Sequence, residues 1–163
     1  MEEYQQITLE QYTPTMIIEV GHTQSFPGLY QKVALFFSQQ TTIQIVLMVK
    51  IFELHVDHTI VLVVVLCLCT SLTPLIPVRI ISFGTASPHQ NTVTYITNIN
   101  NGMGVPPDNF IGVGCIDSSN GDHNYPLCNV AGIATYQMSI PAAEIFDTHR
   151  IPAGFDNGFY LDL

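Results

Sequence analysis

Charge is what this chain has least of. Only 10% of its 163 residues are Asp, Glu, Lys or Arg, against about 25% in an average soluble chain. Thirteen are acidic and four basic, a formal net charge of -9. The basic footprint of a nucleic-acid surface is therefore absent, and any contact with DNA or RNA is made without favourable overall steering. Few charges beside 47% hydrophobic residues imply burial, oligomerisation or lipid contact. The standard chemical signatures are missing too. There is no phosphate loop, dinucleotide fingerprint, Gly-x-Ser-x-Gly elbow or zinc-finger spacing. Glycosylation sequons are absent, and the start, Met1-Glu2-Glu3-Tyr4, is acidic and polar, unlike a secretory signal.

Cysteines number four. Cys67 and Cys69 lie in an apolar run and read as buried free thiols. Cys115 and Cys128 sit in a Gly/Pro/Asn-rich region where a disulfide is conceivable. Reduced thiols in an intracellular setting, cytoplasm or nucleus, are the expectation.

The length suits one domain with a real core. The clearest pattern runs from Pro14 to Ile51. Thr15–Val20 is a short apolar run rich in β-branched residues, a buried strand. Gly21 to Gly28 carries turn residues, with Ser25 placed to cap a helix and Pro27 in its first turn. Leu29, Val33, Phe36 and Phe37 recur at helical spacing and give that helix, 27–38, a core-facing stripe. Gln39-Gln40-Thr41 ends it, and Ile43–Ile51 is a second buried strand. Strand, helix, strand predicts a parallel pair with a right-handed crossover. The expected fold class is α/β, a small mixed sheet around this strand-turn-helix-strand unit. One carboxylate, Glu19, is embedded in the first strand, where a charge costs free energy unless something pairs with it.

The rest is less regular. Phe52–His58 alternates apolar and polar, as a half-exposed strand does. Such a strand puts Glu53, His55 and Asp57 on one face, where a solvated surface is a simpler account than a metal site. Thr59–Val78 follows as 20 residues without a charge. At about 1.5 Å per residue that length spans a bilayer core of about 30 Å. Its valines, Pro74 and Pro77 favour a strand, and a turn at Asp57-His58-Thr59 pairs Ile60–Cys69 with Ile45–Leu54 as a hairpin. Residues 84–132 are Asn-, Gly-, Ser- and Pro-rich, with Thr92–Thr97 a further strand and the remainder mostly loop. Asp117, Asp122 and His123 there do not have calcium-loop spacing. Ala134–Ile140 reads as strand, Pro141–Phe146 as a short helix, Ile151–Gly158 as a turn-rich link, and Phe159–Leu163 as the start of another element.

Pro-Thr-Met-Ile-Ile-Glu-Val-Gly-His-Thr-Gln-Ser, the Leu29-centred helix and the strand Ile-Gln-Ile-Val-Leu-Met-Val-Lys-Ile together resemble the central segment of the PD-(D/E)XK, or restriction-endonuclease-like, superfamily. They are most similar to a group of uncharacterised fungal proteins with a Glu-Val-Gly core. The closing Tyr-Gln-Met-Ser-Ile-Pro-Ala-Ala-Glu-Ile-Phe-Asp, Ile-Pro-Ala-Gly and Tyr-Leu-Asp-Leu resemble that group's last segment. The match covers residues 14–51 and 134–163.

The resemblance implies hydrolysis of a nucleic-acid phosphodiester, with two carboxylates on a divalent cation, usually Mg²⁺, and a lysine at the attacking water. Glu19 matches the metal-side carboxylate of the central strand. Gly21 stands where the lysine is expected, and Lys32, on the following helix, takes the place of a migrated one. Of the earlier acids Glu2, Glu3 and Glu10, Glu10 best fits the partner carboxylate. The resemblance thus implies a single nuclease-like domain, truncated at its front and possessing only part of its site, with 59–132 an inserted, irregular or foreign segment such as translated non-coding sequence. The alternative from a different class is a small membrane-anchored or protein-interaction protein that uses 59–78 as an apolar span and catalyses nothing. His22, Gln24 and Ser25 read as turn and cap residues.

Overall fold

The computed structural model describes residues 15–38, 42–101, 109–117, 119, 121, 123–128, 130–146, 154 and 158–163. The polar lead-in 1–13, the helix end Gln39–Thr41, Asp122 and most of the link 151–158 lie outside them.

The protein is α/β. Strand β1 (Met16–Gly21), helix α1 (Phe26–Ser38) and strand β2 (Ile45–Ile51) form the expected unit, and β1 runs parallel to β2 with Glu19 opposite Met48 and Gly21 opposite Lys50. Ser25 caps α1: its hydroxyl accepts the Gly28 amide at 3.3 Å, and its carbonyl accepts the Leu29 amide at 2.9 Å. Leu29 and Val33 are buried, with Phe36 and Phe37 packed at the margin.

β3 (Val61–Leu68) returns antiparallel to β2, with Ile45 opposite Leu68 and Ile51 opposite Leu62. This is the expected hairpin. β4 (Arg79–Gly84) pairs antiparallel with β3, and β5 (Phe110–Gly112) pairs parallel with β4, giving one five-stranded mixed sheet in the order β1-β2-β3-β4-β5. The valine-rich run is therefore the middle strand. It is paired on both edges and buried on both faces, which accounts for its continuous apolarity. Among the described residues no helix is long and apolar enough to cross a membrane.

Two apolar layers flank the sheet. On one face Leu29 and Val33 of α1 and Ile96 of α2 (Gln90–Asn101) pack on Val46, Met48, Val63, Val65 and Ile80. On the other, a 3-10 turn (Ala134–Tyr136) and the hairpin of β8 (Gln137–Ile140) with β9 (Phe159–Asp162) cover Ile45, Leu47, Val64 and Leu66. A two-residue pairing of β6 (Ile116–Asp117) with β7 (His123–Asn124) and the short α3 (Ala142–Ile145) complete the described elements. The short helix within 141–146 and an element over 159–163 are as expected, whereas the strand expected over Ala134–Ile140 starts only at Gln137, Ala134–Tyr136 being a 3-10 turn.

Three further expectations need correction. Thr92–Thr97 is not a strand but the middle of α2. Thr92, Ile96 and Asn100, four residues apart, are buried, so the operative period is that of a helix. His89 starts it, its carbonyl accepting the Thr92 and Val93 amides and its Nδ1 the Asn91 amide. Phe52–His58 is not a half-exposed strand. After Phe52 pairs with Val61 the chain turns through a hairpin loop, closed by His55–Thr59 and by Asp57, whose carboxylate accepts from the Thr59 amide at 3.1 Å and its hydroxyl at 2.7 Å. His58 takes a φ of 63° there. Glu53, His55 and Asp57 consequently share no strand face. Finally, the stretch 59–132, expected to be inserted or irregular, supplies β3, β4 and α2, so irregularity does not describe it between 61 and 101.

Candidate functional site

β1 and β2 end side by side, and the chain leaves β1 through His22–Ser25 to enter α1. A crevice at the carboxyl ends of adjacent parallel strands is where open α/β sheets place ligands. Here it is a cleft of about 710 Å³ between the 22–25 turn, the 52–56 loop and the first turns of α2.

Glu19 lies on the α1 side of β1, since Ile17, two residues before it, belongs to the α1 layer and Gly21, two after it, lies under Leu29. Lys32 of α1 reaches across and donates its Nζ to Glu19 Oε1. The two sequence-predicted residues are therefore brought together, as a strand carboxylate and a lysine from the next helix. Their side chains keep 25% and 36% of their surface exposed. A pair at that exposure contributes only about 0–1 kcal/mol to stability. Neither lines the cleft, which begins past Gly21 at His22. Glu10 lies outside the described residues. Among the described residues no three of His, Cys, Asp and Glu are grouped to hold a metal ion.

Gly21 is fixed by packing. A Cβ there would stand 2.8 Å from Leu29 Cδ2 and 3.0 Å from Cδ1, closer than real contacts allow. Leu29 is fully buried and occupies the space a residue-21 side chain would need. Any side chain at this position requires Leu29 to shift.

Lys50 was missed by the sequence reading. It stands opposite Gly21, 5% exposed, and donates its ammonium to the His22 carbonyl. The Nζ lies 5.1 Å from the centre of the Phe52 ring, in cation–π range. Burial pushes the Lys50 pKa below the ordinary lysine range, and the charge of Glu53 partly opposes that shift. The signal was available: Lys50 is the sole charge in Ile43–Ile51, as Glu19 is in Thr15–Val20. His22, Glu53 and His55 also border the cleft and are exposed. Phe26, Phe52 and Tyr95 give it aromatic walls, Phe26 and Tyr95 meeting edge to face at 5.8 Å.

The cysteines are free thiols. Burial pushes the Cys67 pKa up to about 12 and that of Cys115 up to about 11, so both stay protonated and unreactive near neutral pH. Asp117 is buried in β6, where it accepts the Ser119 amide at 3.0 Å.

The chain matches no family model, no curated protein and no solved structure.

Proposed function

We propose that this chain is an incomplete restriction-endonuclease-like domain, of a kind whose active relatives hydrolyse nucleic-acid phosphodiesters with a divalent metal. Glu19 is the remaining metal-side carboxylate and Lys32 the remaining lysine. One observation carries the reading: a carboxylate in the first strand of a parallel β-α-β unit meets a lysine from that unit's helix. The resemblance asks for that pairing once Gly21 has displaced the lysine from the strand.

The donor set fits a magnesium site only in part. A hard cation wants several oxygens, and two carboxylates to bridge it. Glu19 supplies one, and no metal-holding group completes it among the described residues. A metal bound there would polarise the phosphate and lower the pKa of its water. Glu19 would orient it, and Lys32 would hold charge beside it. Glu19 alone would hold such a cation weakly.

The test is cleavage of single- and double-stranded DNA and of RNA across a magnesium titration, wild type against Glu19→Ala. The expected result is that both stay at the metal-free background. A magnesium-dependent rate that Glu19→Ala abolishes would show a complete nuclease and overturn the incompleteness. A rate that survives the substitution would take Glu19 out of the chemistry.

A further inference from the structure

The cleft beside this pair has its own chemistry. Lys50 presents an ammonium in its wall with nineteen-twentieths of the residue buried. An ammonium has three N–H donors, and among the described residues one acceptor, the His22 carbonyl, engages it. The nearest candidate counter-charge, Glu53, is exposed and forms no ion pair with it. Held in the wall of an aromatic cleft, this ammonium is placed to donate to an anionic acceptor seated there as well.

The N-terminus of α1 does not supply the recognition. Ser25 already takes the Gly28 amide, the Leu29 amide is bonded to the Ser25 carbonyl, and Pro27 has no amide hydrogen. What the helix adds is the positive end of its dipole, the same sign as Lys50. The remaining walls are aromatic: Phe52 beneath the ammonium, and Phe26 and Tyr95 across the opening. Thr92 and His22 add polar groups at the rim. The volume lies within the range of small-molecule sites.

We propose that the cleft binds a small organic anion with a planar aromatic body, its carboxylate or phosphate on Lys50 and its ring against Phe52 and Tyr95. The site uses neither Glu19 nor Lys32, so it stands or falls apart from the nuclease reading.

The experiment is an amide-resolved NMR titration of the full chain with phenyl phosphate, benzoate and benzyl alcohol. At least one of the two anions shifts the amides of His22, Lys50, Phe52 and Tyr95, and binds about tenfold or more tighter than the neutral alcohol, the ratio expected of one charge-assisted hydrogen bond. Which anion binds more tightly identifies the head group. Lys50→Met lowers that anion's affinity to the level of the alcohol and leaves amide shifts remote from the cleft unchanged. Equal affinity for anion and alcohol overturns the proposal, as does the absence of shifts with both anions or anion binding undiminished in Lys50→Met. If that variant does not fold, the comparison of anion with alcohol on the wild type decides alone.

Discussion

Leu29→Ala is expected to lower the unfolding free energy by about 4 kcal/mol, toward the upper end of the range for a buried leucine. Leu29 is fully buried in the layer between α1 and the sheet, and its methyl groups lie over Gly21. Glycine offers no atoms to collapse into the void, so the cavity term is retained beside the lost transfer energy. A domain of this size has about 5–15 kcal/mol in all, so the variant falls near the edge of stability. The measurement is the urea midpoint at an unchanged slope. A loss under about 1 kcal/mol would mean that α1 is not seated on β1 through this residue, and the placement of Lys32 beside Glu19 would lose its support.

Asn109→Ala should cost about 3 kcal/mol, through hydrogen bonds rather than volume. Asn100 at the end of α2 and Asn109 just before β5 exchange amide hydrogen bonds at 2.9 and 3.2 Å, and Asn109 also donates to the Pro77 carbonyl at 2.7 Å. Both residues are buried. Truncating Asn109 leaves the Asn100 amide and the Pro77 carbonyl without this partner, and each orphaned group costs about 1–3 kcal/mol. A double-mutant cycle with Asn100→Ala separates this from a packing effect. The double variant should be more stable than the sum of the single losses implies, by about 1 kcal/mol or more. Strict additivity would show that the two amides do not form one network.

These two residues also mark the limits of what the sequence discloses. Leu29 was legible because α1 is amphipathic: its apolar stripe, its capping serine and the apolar strands around it all agree on one local structure. The hairpin of β2 with β3 was legible for a similar reason, since two long β-branched runs flank an Asp-His-Thr turn. α2 was not. Its buried positions are Thr92, Ile96 and Asn100, only one of them apolar, so periodicity of hydrophobicity carries almost no signal there. The stabilising contact at its end is an amide pair made with a residue nine positions on, which no local pattern shows. The 52–58 segment failed in the opposite sense. Its alternation is genuine, but the register of β2 against β3 ends at Ile51–Leu62, and the chain must turn.

The candidate site divides along the same line. Glu19 stood out as a charge in an apolar run, and Lys32 entered through the resemblance; the fold brings them together. Lys50 carried the same signal as Glu19. What the sequence does not show is that the parallel partner of Lys50 is Gly21, which leaves the ammonium beside the turn that follows β1. Gly21 was read as a missing lysine. The structure adds that Leu29 packs against that position, and that Lys50 stands opposite it on the neighbouring strand.

We propose that Glu19 is a surviving metal-side carboxylate and not an ordinary ion-pair partner. Manganese tests it most directly, because it takes the oxygen donors that magnesium takes and broadens the NMR signals of nearby nuclei even when bound weakly. Mn²⁺ is expected to broaden the amides of Ile18, Glu19 and Val20 and the side-chain signals of Lys32 in the wild type, and Glu19→Ala to remove this broadening while leaving any other manganese contacts in place. Unbroadened signals around Glu19, or the same broadening in Glu19→Ala, would contradict it.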